Sequence, residues 1–272
     1  MTASYGLLGG RLGHSLSPRI HQLFFEYTGK KGSYQLLETE LDDLPARMEQ
    51  LQTQYAGCNV TIPHKLHVLP FLKKITPEAQ AIGAVNTIKF TPEGAWGYNT
   101  DYFGFGRMLE HNRICVTGKD AAVLGTGGAA RAVLKYLADQ KAGRVYIVTR
   151  DKSKLDTMLL AIAPMGQACS YAELTSLRGA VLVNCTPVGM YPAVDAAPAG
   201  AEVSRRFDAS VDLIYNPAAT KLLQQAREAG KLAVNGLFML VAQAVAAQEI
   251  WQDEKYDSGL IVRIMKKLEQ EL

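Results

Sequence analysis

Near the middle of the chain a short apolar run, Ala121-Ala122-Val123-Leu124, enters a glycine-rich turn, Gly125-Thr126-Gly127-Gly128-Ala129-Ala130-Arg131. A helix-like stretch carrying Val133, Leu134 and Leu137 leaves it. A buried strand, a tight turn and a helix in that order admit few folds, because the strand must pair in parallel and the helix must cover the sheet. Glycines at the turn let the backbone approach a pyrophosphate, and the helix N-terminus supplies N–H donors and a positive dipole end. The match to G-x-G-x-x-G/A has Gly125 and Gly127, with Ala130 in the third position. The sequence ahead of the turn is long enough for a second domain that could hold a substrate.

From the turn onward the pattern is regular. Strands are expected at 121–124, 144–149, 181–185, 210–214 and 232–234, with a weaker candidate at 167–171, all alternating with helices or connections. This indicates an α/β chain with a doubly wound parallel sheet in its second half. The first half also alternates. Residues 4–8 predict a strand. Ser17-Pro18 predicts an N-cap followed by Pro, opening a helix with Ile20, Leu23, Phe24 and Tyr27 on one face that ends at Gly29. Leu44, Met48, Leu51 and Tyr55 predict a second helix that stops at Gly57. A strand over Asn59–Ile62 ends at Pro63, and Thr76-Pro77-Glu78 opens a short helix. Residues 84–90 and 95–99 read as a hairpin around Thr91-Pro92-Glu93-Gly94. A helix runs from Asp101 to about Asn112. Leu260, Ile261, Ile264, Met265 and Leu268 form one apolar face of a final helix. The expected organisation is a substrate-binding domain with a mixed sheet over residues 1–101 and a Rossmann-like domain over 102–236. Helices over 237–272 then return to the first domain.

Composition excludes several classes. With 272 residues, 48% of them hydrophobic, the chain can bury a sizeable core. A net charge of +3 argues against nucleic acid or an anionic membrane as partner. No apolar run reaches the roughly 18 residues of a membrane helix, and the N-terminus lacks a signal-peptide pattern. Cys58, Cys115, Cys169 and Cys185 show no metal-ligand or disulfide rhythm and are expected to be buried reduced thiols of a cytoplasmic protein. His64 and His67 have no acidic or thiol neighbour at ligand spacing, so no metal site is expected.

The second strand of the nucleotide domain selects the guest. An acidic residue at its end would bind a ribose hydroxyl; here Val145-Tyr146-Ile147-Val148 ends in Thr149-Arg150. A guanidinium suits a 2′-phosphate, which favours NADP over NAD. Asp151 follows at once and, turned inward, would repel that phosphate. Lys152 and Lys154 read as a solvated helix start.

Three polar clusters in the first domain are not demanded by a plain fold. They are His14-Ser15-Leu16-Ser17-Pro18, Asn59-Val60-Thr61-Ile62-Pro63-His64-Lys65, and Gly83-Ala84-Val85-Asn86-Thr87 followed by Asn99-Thr100-Asp101. Hydroxyls beside a helix start can hold a carboxylate, and strand ends of an α/β layer collect ligands. In order, these clusters resemble motifs of the shikimate dehydrogenase family: its Ser-x-Ser grip, N-V-T-x-P-x-K, G-A-V-N-T and N-T-D. The resemblance continues through the glycine turn to Asn184-Cys185-Thr186-Pro187-Val188-Gly189-Met190, to Asp212-Leu213-Ile214-Tyr215-Asn216-Pro217, and to Gly236-Leu237-Phe238-Met239-Leu240 with Gln243. It covers nearly the whole chain. One departure is Thr149-Arg150-Asp151, where many NADP-using members carry Asn-Arg-Thr or Asn-Arg-Ser.

The resemblance implies reversible reduction of 3-dehydroshikimate to shikimate by NADPH. Hydride arriving at a ketone carbon leaves a developing alkoxide that needs a positive donor and a proton. Lys65 is expected to provide both, with Asp101 orienting its ammonium. Ser15 and Ser17 would hold the substrate carboxylate. Thr61, Asn86, Asp101 and Gln243 would read ring hydroxyls, with Tyr215 lining the cleft. Asn59 stands between substrate contact and backbone support. Gly125, Thr126, Gly127, Gly128, Ala129, Thr149 and Arg150 would hold the cofactor, and Thr186, Gly236 and Met239 would flank the nicotinamide. The two halves are expected to close over a crevice and exclude water. The alternatives are a quinate or shikimate dehydrogenase using NAD in catabolism, a non-catalytic ligand-binding relative, and a methylene-tetrahydrofolate dehydrogenase. The retained lysine and aspartate count against the second, and the Ser-x-Ser grip against the third. Monomer and homodimer are both compatible with the sequence.

Overall fold

A computed structural model describes residues 3–13 and 15–272, so His14 of the first polar cluster lies outside the described residues. The chain forms two compact units, Met1–Gly104 with Val241–Leu272, and Phe105–Leu240. Elements are numbered in chain order.

In the first unit a six-stranded sheet has the order β2 (Gly32–Glu38), β1 (Ala3–Gly9), β3 (Gly57–Val60), β5 (Thr87–Thr91), β6 (Gly94–Tyr98) and β4 (Lys74–Ile75). β1 runs parallel to β2 and β3, whereas β5 is antiparallel to β3 and to β6. The sheet is therefore mixed. Strand β2 carries no clear apolar alternation, and only its pairing along the whole of β1 makes it a strand. One side of the sheet packs Leu8, Met48, Leu51, Cys58, Val60 and Ile88 into a core. On the other side Trp251, from α10 (Leu237–Gln252), stacks on Tyr5 at 4.6 Å and donates its indole N–H to the Ile88 carbonyl at 2.9 Å. The last helix, α11 (Ser258–Glu269), lies against α1 (Ser17–Thr28), and Arg19 donates to both carboxylate oxygens of Glu271 just beyond it.

Two local expectations change. Leu16, not Ser17, occupies the N-cap of α1, and its side chain makes no capping bond. Ser17 is the first helical residue, and its N–H donates to Ser15 Oγ at 3.2 Å. Helix α2 (Leu44–Gln54) stops at Tyr55 in extended conformation, short of Gly57. Gly57 is a glycine for another reason: a Cβ there would stand 2.2 Å from Trp251 Nε1.

In the second unit six strands pair in parallel in the order β12 (Leu232–Val234), β11 (Phe207–Asp212), β10 (Gly179–Asn184), β7 (Ala121–Leu124), β8 (Val145–Val148) and β9 (Gly166–Cys169). All residues of β7 and β8 are buried, which is why both read as unbroken apolar runs. The chain builds outward from β7 through β8 and β9, then returns to its other side through β10. The carboxyl ends of β7 and β10 thus mark the reversal of strand order, where open α/β sheets bind ligands.

Among the described residues, no helix is long and apolar enough to cross a membrane, and no group of three or more metal-ligating side chains occurs. All four cysteines are free thiols, but only Cys58 and Cys169 are buried; Cys115 is exposed and Cys185 half-buried. Cys115 follows the end of α4 (Thr100–His111) in a surface connection, a placement that spacing alone did not reveal.

Candidate active site

The turn after β3 presents Lys65. His64, fully buried, sets its Nε2 against the Thr39 carbonyl at 2.7 Å, and the Val85 N–H donates to the Lys65 carbonyl at 3.0 Å. Backbone and neighbour are thereby pinned while the lysine side chain projects. Its ammonium lies 2.6 Å from Asp101 Oδ2, with the two side chains 22% and 16% exposed. Asp101 sits in the first turn of α4, where the helix dipole favours its negative charge. Partial burial strengthens this charge-assisted bond beyond a surface ion pair and still admits a ligand.

Behind the pair lies a buried polar network. The Asn86 carboxamide oxygen accepts the Thr100 N–H at 2.6 Å and the Thr87 hydroxyl at 3.1 Å. The Thr100 hydroxyl lies 3.0 Å from that of Thr87 and 3.4 Å from Gln243 Oε1. Asn59 donates from Nδ2 to Thr87 Oγ1 at 3.0 Å and accepts from the Tyr34 phenol at 2.7 Å. Both ends of the Asn59 amide thus serve the protein, as a support would. Burial pushes the Tyr34 phenol well above its usual range, so it is a neutral donor. Ser17 is buried and Ser15 half-buried at the start of α1, and Thr61 is half-buried beside Gly9, whose Cβ would stand 2.6 Å from Thr61 Cγ2. The first unit therefore holds Lys65 with Asp101, and Asn86 with Gln243 through Thr100.

In the second unit, α5 (Gly128–Asp139) starts with Gly127 at its N-cap and no capping side chain. A Cβ built at Gly127 or Gly128 meets nothing within 4 Å, so the space over this helix start is open. Gly125 has φ +97°, and a Cβ there would stand 2.8 Å from Thr186 Cγ2 at the end of β10. Thr186 is fixed in turn: its N–H and hydroxyl donate to Asn184 Oδ1 at 3.0 and 2.7 Å. Asn184 donates to Asp212 Oδ1 at 3.0 Å, and Thr220 donates to Asp212 Oδ2 at 2.7 Å. Burial raises the Asp212 pKa against these hydrogen bonds. Gly236 packs so tightly on the Leu213 carbonyl that a Cβ would stand 2.1 Å from its oxygen. Met239 is buried in the first turn of α10. Tyr215 is half-buried, and burial raises its pKa.

At the end of β8, Thr149 is half-buried and Arg150 exposed. Asp151 does not stand as a loose charge. Its carboxylate accepts from Ser153 N–H at 3.0 Å and Ser153 Oγ at 2.6 Å, capping the single turn Lys152–Lys154, and lies 3.5 Å from Lys154 Nζ. Those Ser153 bonds hold its pKa below the usual value. Lys152 pairs with Glu173 at 2.7 Å, and Arg131 with Asp156 at 2.9 Å.

The profile of the shikimate dehydrogenase substrate binding domain matches residues 7–88. The shikimate dehydrogenase (NADP(+)) of Clostridium perfringens is 42% identical over 266 residues, covering 97% of each chain. The chain belongs to the shikimate dehydrogenase family. A chorismate mutase/shikimate 5-dehydrogenase fusion protein from Clostridium acetobutylicum superposes with a TM-score of 0.94 at 46% identity, covering 100% of this chain and 98% of that one. The Thermus thermophilus shikimate 5-dehydrogenase, solved with NADP(H) and shikimate, gives 0.87 at 33% identity, covering 98% and 99%. The uncapped α5 N-terminus, the open space over Gly127 and Gly128, and Arg150 fit the dinucleotide that this family uses.

Sequence reading missed Thr87 and Tyr34. Thr87 closes a quoted motif, but its hydroxyl gains meaning only beside Thr100. Tyr34 had no local signal, because only β2 lying beside β1 brings it to Asn59.

Proposed function

We propose that this chain is a shikimate dehydrogenase that reversibly reduces 3-dehydroshikimate to shikimate with NADPH, in the biosynthesis of chorismate and the aromatic amino acids. The observation that carries the reading is the half-buried Lys65–Asp101 pair at 2.6 Å, with the buried Asn86 amide held by the N–H of Thr100, the residue before Asp101. NADPH, when bound, supplies the hydride. Lys65 places an ammonium at the ketone oxygen, stabilises the alkoxide that develops there and gives it a proton. Asp101 orients the ammonium and keeps it from leaving the site. In the oxidative direction neutral Lys65 takes the hydroxyl proton back. Ser15 and Ser17 hold the substrate carboxylate through hydroxyl donors, while Thr61, Asn86 and Gln243 bind ring hydroxyls and so fix which carbonyl faces Lys65. Gly125 through Ala129 would cradle the pyrophosphate, and Arg150 would pair with the 2′-phosphate. Asp151, held by Ser153, competes little for Arg150.

Steady-state kinetics with shikimate and quinate, each with NADP+ and NAD+, test the proposal. The expected result is the highest kcat/KM for shikimate with NADP+. A preference for quinate or for NAD+ would replace the biosynthetic reading with a catabolic one.

A further inference from the structure

Asn86 and Gln243 are amides, and an amide can be turned to offer either an acceptor or two donors. For Asn86, what decides the turn is visible around Thr100. Its backbone N–H donates to Asn86 Oδ1 at 2.6 Å, so the reverse orientation would oppose two donors. The Thr87 hydroxyl, 3.1 Å from the same oxygen, adds to that preference, and it accepts in turn from Asn59. The Thr100 hydroxyl lies 3.2 Å from Asn86 Oδ1, a third donor to that oxygen, and 3.4 Å from Gln243 Oε1. Thr100 is completely buried, as is Thr87, so no water competes for these bonds. One residue further along the same helical turn is Asp101.

We infer that Thr100 is a positioning residue that aims the carboxamide of Asn86, so that the substrate-binding site meets a ring hydroxyl oxygen there with an N–H donor. Its backbone N–H and its hydroxyl both hold Asn86 Oδ1, and the hydroxyl also reaches the chain-distant Gln243. The consequence is a specificity rule. A substrate oxygen at Asn86 must accept, and its own proton must go elsewhere, to an acceptor such as the Asp101 carboxylate. An oxygen-bearing substituent that accepts but carries no proton is tolerated at this amide, whereas a protonated amine is refused. The inference rests on the proposed shikimate-binding role of this site.

Three variants separate positioning from simple stability. Thr100→Val keeps shape and the backbone N–H but removes the hydroxyl; Thr100→Ser restores it; Thr100→Ala is a second deletion should valine not fold. Shikimate binding by calorimetry, the KM values for shikimate and NADP+, kcat and Tm are measured for each. The expected result is about tenfold weaker shikimate binding and a matching rise in its KM for Thr100→Val, the loss typical of one hydrogen bond. kcat stays within about threefold, the NADP+ KM within about twofold, and Thr100→Ser stays within about twofold of wild type throughout. The inference is overturned if Thr100→Val binds like wild type, or if serine fails as badly as valine. It is also overturned if kcat and both KM values deteriorate together, or if both deletions unfold while serine folds. Wild-type protein that neither binds nor turns over shikimate would overturn the underlying assignment as well, a pattern distinct from a flat variant series in an active enzyme.

Discussion

His21 is buried to 1% exposure, stacked on the Tyr34 ring at 3.9 Å with the planes 13° apart. Gln248 Nε2 lies 2.8 Å from His21 Nδ1. Gln248 Oε1 in turn lies 2.6 Å from Gln252 Nε2. A charged, doubly protonated ring would sit in a dry site where Nε2 has no hydrogen-bond partner. Burial accordingly lowers the His21 pKa to about 3. The unfolded chain, with a histidine near its ordinary value of about 6.5, binds the proton far more readily. Stability from this group is unaffected above about pH 6.5 and falls as pH drops from there toward about 3, by up to about 1.4 kcal/mol per unit. At pH 5 the loss relative to pH 7.5 is about 2 kcal/mol, a sizeable share of a typical domain's stability. The carboxylates with strongly lowered pKa, Glu173 and Glu271 at about 2, release their contributions only below the ordinary glutamate range, outside this window. The assay is urea denaturation at pH 7.5 and 5 of wild type and His21→Phe, whose ring can still stack on Tyr34. The variant loses stability at both pH values because Gln248 is left unpaired, but its pH dependence should be shallower by about 2 kcal/mol over this interval. Equal pH dependence in the two proteins, or a His21 NMR titration near pH 6.5 in the folded state, would refute the reasoning.

Lys65→Ala and Asp101→Ala should each lower kcat by about 10²–10⁴-fold with little change in Tm, measured by steady-state kinetics and thermal melting; near-normal turnover in purified Lys65→Ala removes it from the proton-transfer step. Arg150→Gln should raise the KM for NADP+ by about 10–100-fold and leave that for NAD+ within about twofold, since only the former carries the extra phosphate; equal changes would place the guanidinium elsewhere. Gly236→Ala forces a methyl group to within 2.1 Å of the Leu213 carbonyl oxygen, so Tm should fall by several degrees and activity with it. A normal melting curve for that variant would show that the backbone there yields freely.

Local chemistry made much of the protein legible. The unbroken apolar runs of β7 and β8 are strands buried on both sides, and the glycine turn is the link from β7 to α5. Gly29 ends α1 with φ +69°, as a glycine after an amphipathic helix suggests. Lys65 and Asp101 stood out by motif, although nothing in their 36-residue separation says that they meet. Other features had no local sign. Strand β2 exists because β1 offers it a partner, and with it come Tyr34, its bond to Asn59 and its stack on His21. Gly57 looked like a helix stop and is the floor beneath Trp251.

The division follows from the range of the forces. Sequence alone determined what acts within a few residues: periodicity, glycine conformations, the uncapped helix start and the choice of arginine over an acid after β8. It also determined the family, through motifs kept in order. Only the tertiary structure decided which polar groups share a buried environment. It turned Asp151 onto Ser153, joined Asn86 to Gln243 through Thr100, and left His21 too dry to take a proton. Burial and hydrogen-bond direction are properties of neighbours brought in from far along the chain, and no stretch of sequence contains them.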